Sequence, residues 1–305
     1  MADATESKAT FKKIVGTLEH LQIISYIDVL NSTLLIYDVI INLPAEIEYI
    51  WMREWSIVTG LYILQRYLPL FDAVVLTLHH NFGENLSTHY CTLNYSIDAW
   101  SFFIGVMLSE TILTIRVWAV WGRSAPVALG LIVFFLACWV PCSVLLEKFL
   151  SAIEFAPLPF PNFRGCFISG GNHILWVCWV LWMVYDTGTL VMILVPGIEA
   201  YRKGGRSELV KTIYQDGVMY YAFIFLCSMI NVIVILRLPD DMVVLLSSFE
   251  RVLHSLLTSR ALLHIRQIDS QSSAIQSISQ LQFAQGEHEE LSSFSAGQQW
   301  SNTTD

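Results

Sequence analysis

Seven runs of roughly 20 mainly apolar residues recur along the chain, at about 21–43, 56–78, 95–118, 126–147, 173–196, 214–236 and 241–263. A hydrocarbon core about 30 Å thick needs a helix of that length to cross it. At that depth every backbone N–H and C=O must find its partner inside the segment, which leaves the α-helix as the natural spanning form. The links between runs are mostly short, so neighbouring helices should pack antiparallel. The expected fold class is all-α: an integral membrane bundle of seven transmembrane helices, receptor-like in plan, with the lipid bilayer as its solvent. Composition agrees, since charged residues are 14% of the 305 and hydrophobic ones 54%, whereas a soluble domain runs about 25% charged. A net charge of −9 with no long basic stripe excludes a nucleic-acid partner. Six cysteines are too few for a disulfide scaffold.

Three regions follow: a polar N-terminal tail over 1–20, the transmembrane domain over 21–266, and a Ser/Gln-rich tail over 267–305 that reads as disordered and cytoplasmic. Residues 1–20 contain no apolar core of a signal peptide, so the first span is expected to act as an uncleaved anchor. The longest link, about 148–172, holds Pro157, Pro159 and Pro161. No internal repeat stands out, which weakens transporter folds built from parallel repeats. With the N-terminus outside, nine Lys and Arg fall on the cytoplasmic side and six outside; the cluster from Arg202 to Arg206 decides the choice, although Lys8, Lys12 and Lys13 argue against it. The C-terminus is then cytoplasmic, and the plasma membrane is preferred over internal membranes. The basic loop 198–213 and the tail would meet a cytoplasmic signalling partner. Cys91 and Cys166 both fall outside, where a disulfide would tie span three to the loop over the bundle mouth; the alternative is two free loop thiols. Asn85 heads a glycosylation sequon in the same outer region.

Polar residues at membrane depth cost at least about 2.5–3.5 kcal/mol each on insertion scales, so they should face the bundle interior in pairs. Span one sets Asp28, Asn31, Leu35, Asp38 and Asn42 on one helical face, and span seven does the same with Ser247, Arg251, His254 and Thr258. Matching depths bring Arg66 and Arg251 level with Asp186 and Glu250 and within reach of Glu110. The expectation is a buried network of Asp38, Arg66, Glu110, Asp186, Glu250, Arg251 and His254, centred on spans two, three and seven. It would fix helix register, sense a ligand, or carry ions or protons. Asp72, Asp98, Trp179, Trp182, Tyr221 and Asn231 are candidates for an outward ligand cavity, with the aromatics stacking on a flat ligand or simply packing the core. Pro69 and Pro141 should kink spans two and four.

Enzymatic chemistry finds little support. Asp186-Thr187-Gly188 carries the string of aspartic proteases, but inside an apolar helix and without a matched second Asp. Of the histidines only His254 is deep, so no metal is expected. No Lys lies deep in a span, which removes a retinal Schiff base, and no glycine loop cradles phosphate. Neither a catalytic residue nor a cofactor is assigned.

From Ile36 the chain reads IYDVIINLPAEIEYIWMREWSIVTGLYILQRY. Tyr37-Asp38, Leu43, Glu46, Ile50-Trp51, Trp55-Ser56, Leu61, Leu64 and Arg66-Tyr67 resemble the N-terminal signature of a fungal (basidiomycete) seven-transmembrane family, domain of unknown function 6533. The signature covers about 25–70. The stretches Ile112–Arg116, Trp121–Arg123 and Ser259–Leu263 are similar as well. Asn42 stands where Thr is usual, and Thr59 where Lys is common. The resemblance implies a fungal membrane protein and gives weight to Asp38, Glu46, Trp51, Arg66 and Tyr67. Rhodopsin-class motifs are missing: Thr114–Trp118 replaces D-R-Y, and span seven lacks N-P-x-x-Y. The reading is a receptor-like sensor, with a transporter or channel for a small solute or protons as the alternative and a structural membrane protein as a third.

Overall fold

The computed structural model describes residues 2–77, 82–84, 86–156, 165–170, 174–202, 208–237 and 246–271. The chain divides into two units, Met1–Ala261 and Leu262–Asp305. In the first, α1 (Ala2–Glu46) runs into a π-helical turn over Ile47–Trp51, and α2 (Ile57–Pro69) into another over Leu70–Leu76. There follow α3 (Thr88–Val120), α4 (Ala125–Leu150), strands β1 (Glu154–Ala156) and β2 (Phe167–Gly170), α5 (Leu175–Arg202) and α6 (Glu208–Arg237). Residues 247–261 form α7. In the second unit, 262–271 are helical.

Among the described residues, five segments are long and apolar enough to cross a membrane: Leu18–Trp51, Thr88–Val120, Ala125–Leu150, Leu175–Ile198 and Val218–Arg237. Their exposed faces are apolar, as Leu129, Ile132, Val133, Leu136, Val140 and Val144 of α4 show, while Asp38, Glu46, Arg66, Asp186 and Glu250 are buried. A soluble domain distributes its charges the other way round. The two remaining helical segments differ from the five for local reasons. α2 has only 13 residues before its backbone changes register after Pro69. α7 carries Glu250, Arg251 and Arg260, yet Glu250, Val252, His254, Ser255, Leu256, Thr258 and Ser259 are all buried, so protein surrounds it on nearly every side.

Helix ends follow from short polar side chains and from prolines. The Ser56 hydroxyl accepts from Thr59 N at 3.2 Å and the Ser87 hydroxyl from Tyr90 N at 3.2 Å, each satisfying an orphan first-turn donor. α3 stops at Gly122 (φ 65°) and Arg123 (φ 57°), where Arg123 N returns to Trp118 O at 3.1 Å; left-handed backbone of this kind closes helices. Both π turns come just after a proline, Pro44 or Pro69. Proline removes a backbone donor and crowds the preceding turn, and widening the helix by one residue is one way to continue past it. Pro141 lies inside α4, whose helix continues past it.

α5 packs against α4 and α6, α2 against α3, and α3 against α4, α5 and β1. An aromatic core joins them: ring centroids lie 5.2 Å apart for Phe103 and Trp139, 5.5 Å for Trp139 and Trp182, and 4.8 Å for Trp179 and Trp182. On α5, Trp179, Trp182 and Tyr185 thus point inward, whereas Trp176 is half-exposed. β1 and β2 pair antiparallel, and the Tyr95 ring of α3 meets Phe155 of β1 edge-on at 5.9 Å. Cys166, just before β2, is disulfide-bonded to Cys91 of α3, with Cα atoms 5.7 Å apart.

Candidate functional site: three buried polar groups

The buried charges form separate groups rather than one network. In the first, Arg66 of α2 donates from Nη1 to Asp38 Oδ2 and from Nε to Glu46 Oε1, both at 2.7 Å. Its Nη2 reaches the Asp38 carbonyl at 3.2 Å. Tyr67 donates to the other oxygen of Glu46 at 2.9 Å, and Arg260 donates to Asp38 Oδ1 from Nε and Nη2 at 2.9 and 2.6 Å. Trp51 covers Tyr67 edge-on at 6.3 Å. Two carboxylates on α1 therefore share two guanidiniums from α2 and α7, and Arg66 itself is fully buried.

The second group lies toward the Cys91–Cys166 end. Arg251 of α7 reaches Asp72 Oδ2 from Nε and Nη2, each at 3.3 Å, and Ser101 donates to the same oxygen at 3.3 Å. Asp72 Oδ1 accepts from Ala73 N at 2.7 Å. The guanidinium lies against Gly105 of α3, where any Cβ would collide with it. A cavity of about 230 Å³ opens beside this pair, bounded by Asp28, Asp72, Asp98, Tyr95, Arg251 and Cys166, with Phe102, Phe103, Trp179 and Trp182 as its aromatic wall. Arg251 Nη1 is buried and makes no hydrogen bond.

The third group sits where α3, α5, α6 and α7 meet. Ser228 Oγ lies 2.5 Å from Asp186 Oδ2 and 2.7 Å from Glu250 Oε1, and Asn231 donates to Glu250 Oε2. His254 places Nδ1 3.2 Å from Glu110 Oε1, without hydrogen-bond alignment, and Nε2 3.9 Å from Glu250 Oε1. A cavity of about 10 Å³ lies among Glu110, Trp182, Tyr185, Asp186, Glu250 and His254.

Several sequence expectations change. Arg66 and Arg251 do not pair with Asp186, Glu250 or Glu110; they take Asp38, Glu46 and Asp72 instead. Matching depth on a helix says nothing of the direction a side chain takes around it, and these two point elsewhere. Among the proposed cavity residues, Asp72, Asp98, Trp179 and Trp182 do line the larger cavity. Tyr221 instead donates to the Leu113 carbonyl at 2.6 Å in a separate apolar cluster, and Asn231 is held by Glu250. Asn85 lies outside the described residues. Glu46, Ser228 and Gly105 were not singled out as a group; only the signature around Arg66-Tyr67 pointed to Glu46, and nothing local marks Gly105. Gln65 adds a polar seam to α7, donating to the Ser255 carbonyl at 3.1 Å and accepting from Ser259 at 3.2 Å, the kind of interhelical bonding that joins helices in lipid.

Apolar outer faces, several crossing-length helices and charges paired inside define a multi-pass integral membrane protein. Residues 26–71 match the model of a family of unknown function, DUF6533. That stretch includes Asp38, Glu46, Arg66 and Tyr67, so the family segment holds most of the first polar group. No curated protein matches the chain.

Proposed function

We propose that the protein is a seven-span, receptor-like sensor of the plasma membrane that binds a small organic cation, and that it is not an enzyme. In this reading α2 with its π turn and α7 also cross the bilayer, α7 enclosed by protein and α2 turning Leu64, Phe71 and Val75 outward. The N-terminus lies outside and the C-terminus in the cytoplasm, and segment 198–213, which the sequence suggested as a loop but whose ends belong to α5 and α6, meets a signalling partner. The observation that carries the proposal is the 230 Å³ cavity beneath the Cys91–Cys166 bond. Its lining pairs an aromatic wall with three carboxylates, Asp28, Asp72 and Asp98, against the single guanidinium of Arg251. A mostly apolar pocket with a few placed polar groups is the usual form of a small-molecule site. Excess negative charge selects an amine, aromatic faces favour a ring or a cation over them, and the open Arg251 Nη1 offers a donor to an acceptor on the ligand.

The test uses the full chain in detergent and a panel of arylalkylamines. Binding should raise the melting midpoint, and Asp98→Asn should weaken it tenfold or more, equivalent to about 1.4 kcal/mol. Equal binding of the neutral alcohol analogues, or none of the amines, would overturn the assignment. Flux of the same amines into proteoliposomes would convert the site from a receptor pocket to a transport site.

A further inference from the structure

We propose that Asp186, Glu250 and His254, backed by Glu110, form a binding site for a divalent transition-metal ion in the core of the bundle. The reading is independent of the amine cavity, which uses other carboxylates. One ligand atom from each of Asp186, Glu250 and His254 lies within 4.8 Å of the others, and all three residues are buried. Ligand atoms around a tetrahedral zinc ion stand about 3.4 Å apart, from bond lengths of roughly 2.0–2.2 Å, so a closure of about 1–1.5 Å completes the set.

Charge makes the same point. Three carboxylates, from Glu110, Asp186 and Glu250, meet here; among the described residues no Lys or Arg borders their cavity, and the nearby Arg251 is paired with Asp72. Ser228 has a single hydroxyl hydrogen, yet its oxygen is at hydrogen-bond distance from both Asp186 and Glu250. One of those two approaches therefore requires positive charge or a proton from elsewhere. Buried charges otherwise cost several kcal/mol each.

Glu110 supplies an independent observation. It is 2% exposed, it borders the 10 Å³ cavity, and neither of its carboxylate oxygens makes a hydrogen bond. The space is of the order of one water or one ion. His254 stands between the acids, Nε2 toward Glu250 and Nδ1 toward Glu110. An imidazole that gives one nitrogen to a metal and the other N–H to a carboxylate is the arrangement that orients metal-bound histidines. Imidazole with carboxylates suits zinc and its neighbours in the first transition row. Trp182 Nε1, buried and without a partner, also borders the cavity and could donate to a metal-bound water.

The experiment takes the full-length chain in detergent, strips it with a chelator, returns Zn²⁺ alone, and measures zinc by mass spectrometry after gel filtration. About one zinc ion per chain should be retained, as for a closed protein site. Retention should fall to near zero in His254→Gln and in Asp186→Asn and stay unchanged in Asp98→Asn. Because the first two substitutions also touch packing, X-ray absorption at the zinc edge of the unaltered protein provides a second readout. Nitrogen and oxygen ligands including one imidazole are expected. Sulfur ligation, full retention in His254→Gln, or no retained zinc would each overturn the proposal.

Discussion

A guanidinium held away from water by carboxylates is asymmetric in its energetics: making the pair contributes modestly, and removing one partner is costly because the other remains buried and charged. Arg66 is in this position, with Asp38 and Glu46 both at 2.7 Å. Arg66→Met should lower stability by about 3–5 kcal/mol, read as a fall in melting midpoint by tryptophan fluorescence in detergent. Adding Glu46→Gln to it should restore part of the loss, since one of the stranded charges is then removed. A midpoint for Arg66→Met equal to the parent would show that this group adds nothing to the fold. The sequence revealed half of this arrangement. Period-3/4 spacing identified Asp28, Asn31, Leu35, Asp38 and Asn42 as one face; the first four are buried and Asn42, toward the end of α1, is half-buried. It could not choose their partners, because the pairing depends on the rotation of α2 and α7 about their axes.

At the scale of helices, one close approach in the site is of a kind that spacing rules cannot see. Gly105 leaves room for the Arg251 side chain to lie on the α3 backbone, and an added methyl there meets the guanidinium. Gly105→Ala should therefore cost about 1–3 kcal/mol as an overpacked contact and displace Arg251 from Asp72. Gly130→Ala is the matched control. Nothing lies within 4 Å of its added methyl, and α-helical Ala is favoured over Gly by up to about 1 kcal/mol. Equal melting of the two variants in detergent would refute the contact. Helix existence and the polar faces were readable from period and length. The π turns after Pro44 and Pro69 were not, because a proline announces disruption without saying which way the backbone will resolve it.

For the whole molecule, the readable quantity was the solvent. Apolar runs implied lipid, and the apolar exteriors of α4 and its neighbours agree with that. Hydropathy is weakest where a helix is polar because it is enclosed, and α7 is that case. The proposed orientation makes a direct prediction. In intact cells an N-terminal epitope should bind antibody from outside, and a C-terminal one only after permeabilisation; the reverse pattern would invert every side assignment above. The Cys91–Cys166 bond closes a separation of 75 residues, and about 4.5 kcal/mol of loop entropy is its upper contribution on a chain-entropy account. If the bond seats the β1–β2 pair over the cavity, reduction should abolish amine-induced stabilisation while helical circular dichroism persists.

One dimension of α1 has a use beyond anchoring. Its 45 residues amount to about 68 Å of helix at 1.5 Å per residue, more than twice the thickness of a bilayer's oily layer. The crossing-length segment begins only at Leu18, so the preceding 16 residues from Ala2 form a rod of about 24 Å on the same axis. A rod joined without a hinge transmits tilt. A small rotation of α1 within the membrane, such as one that loosens Asp38 from Arg66, would sweep its far tip through an arc that grows with distance. The tip is thus a mechanical amplifier, and the natural place for a probe that reports what the buried charges are doing.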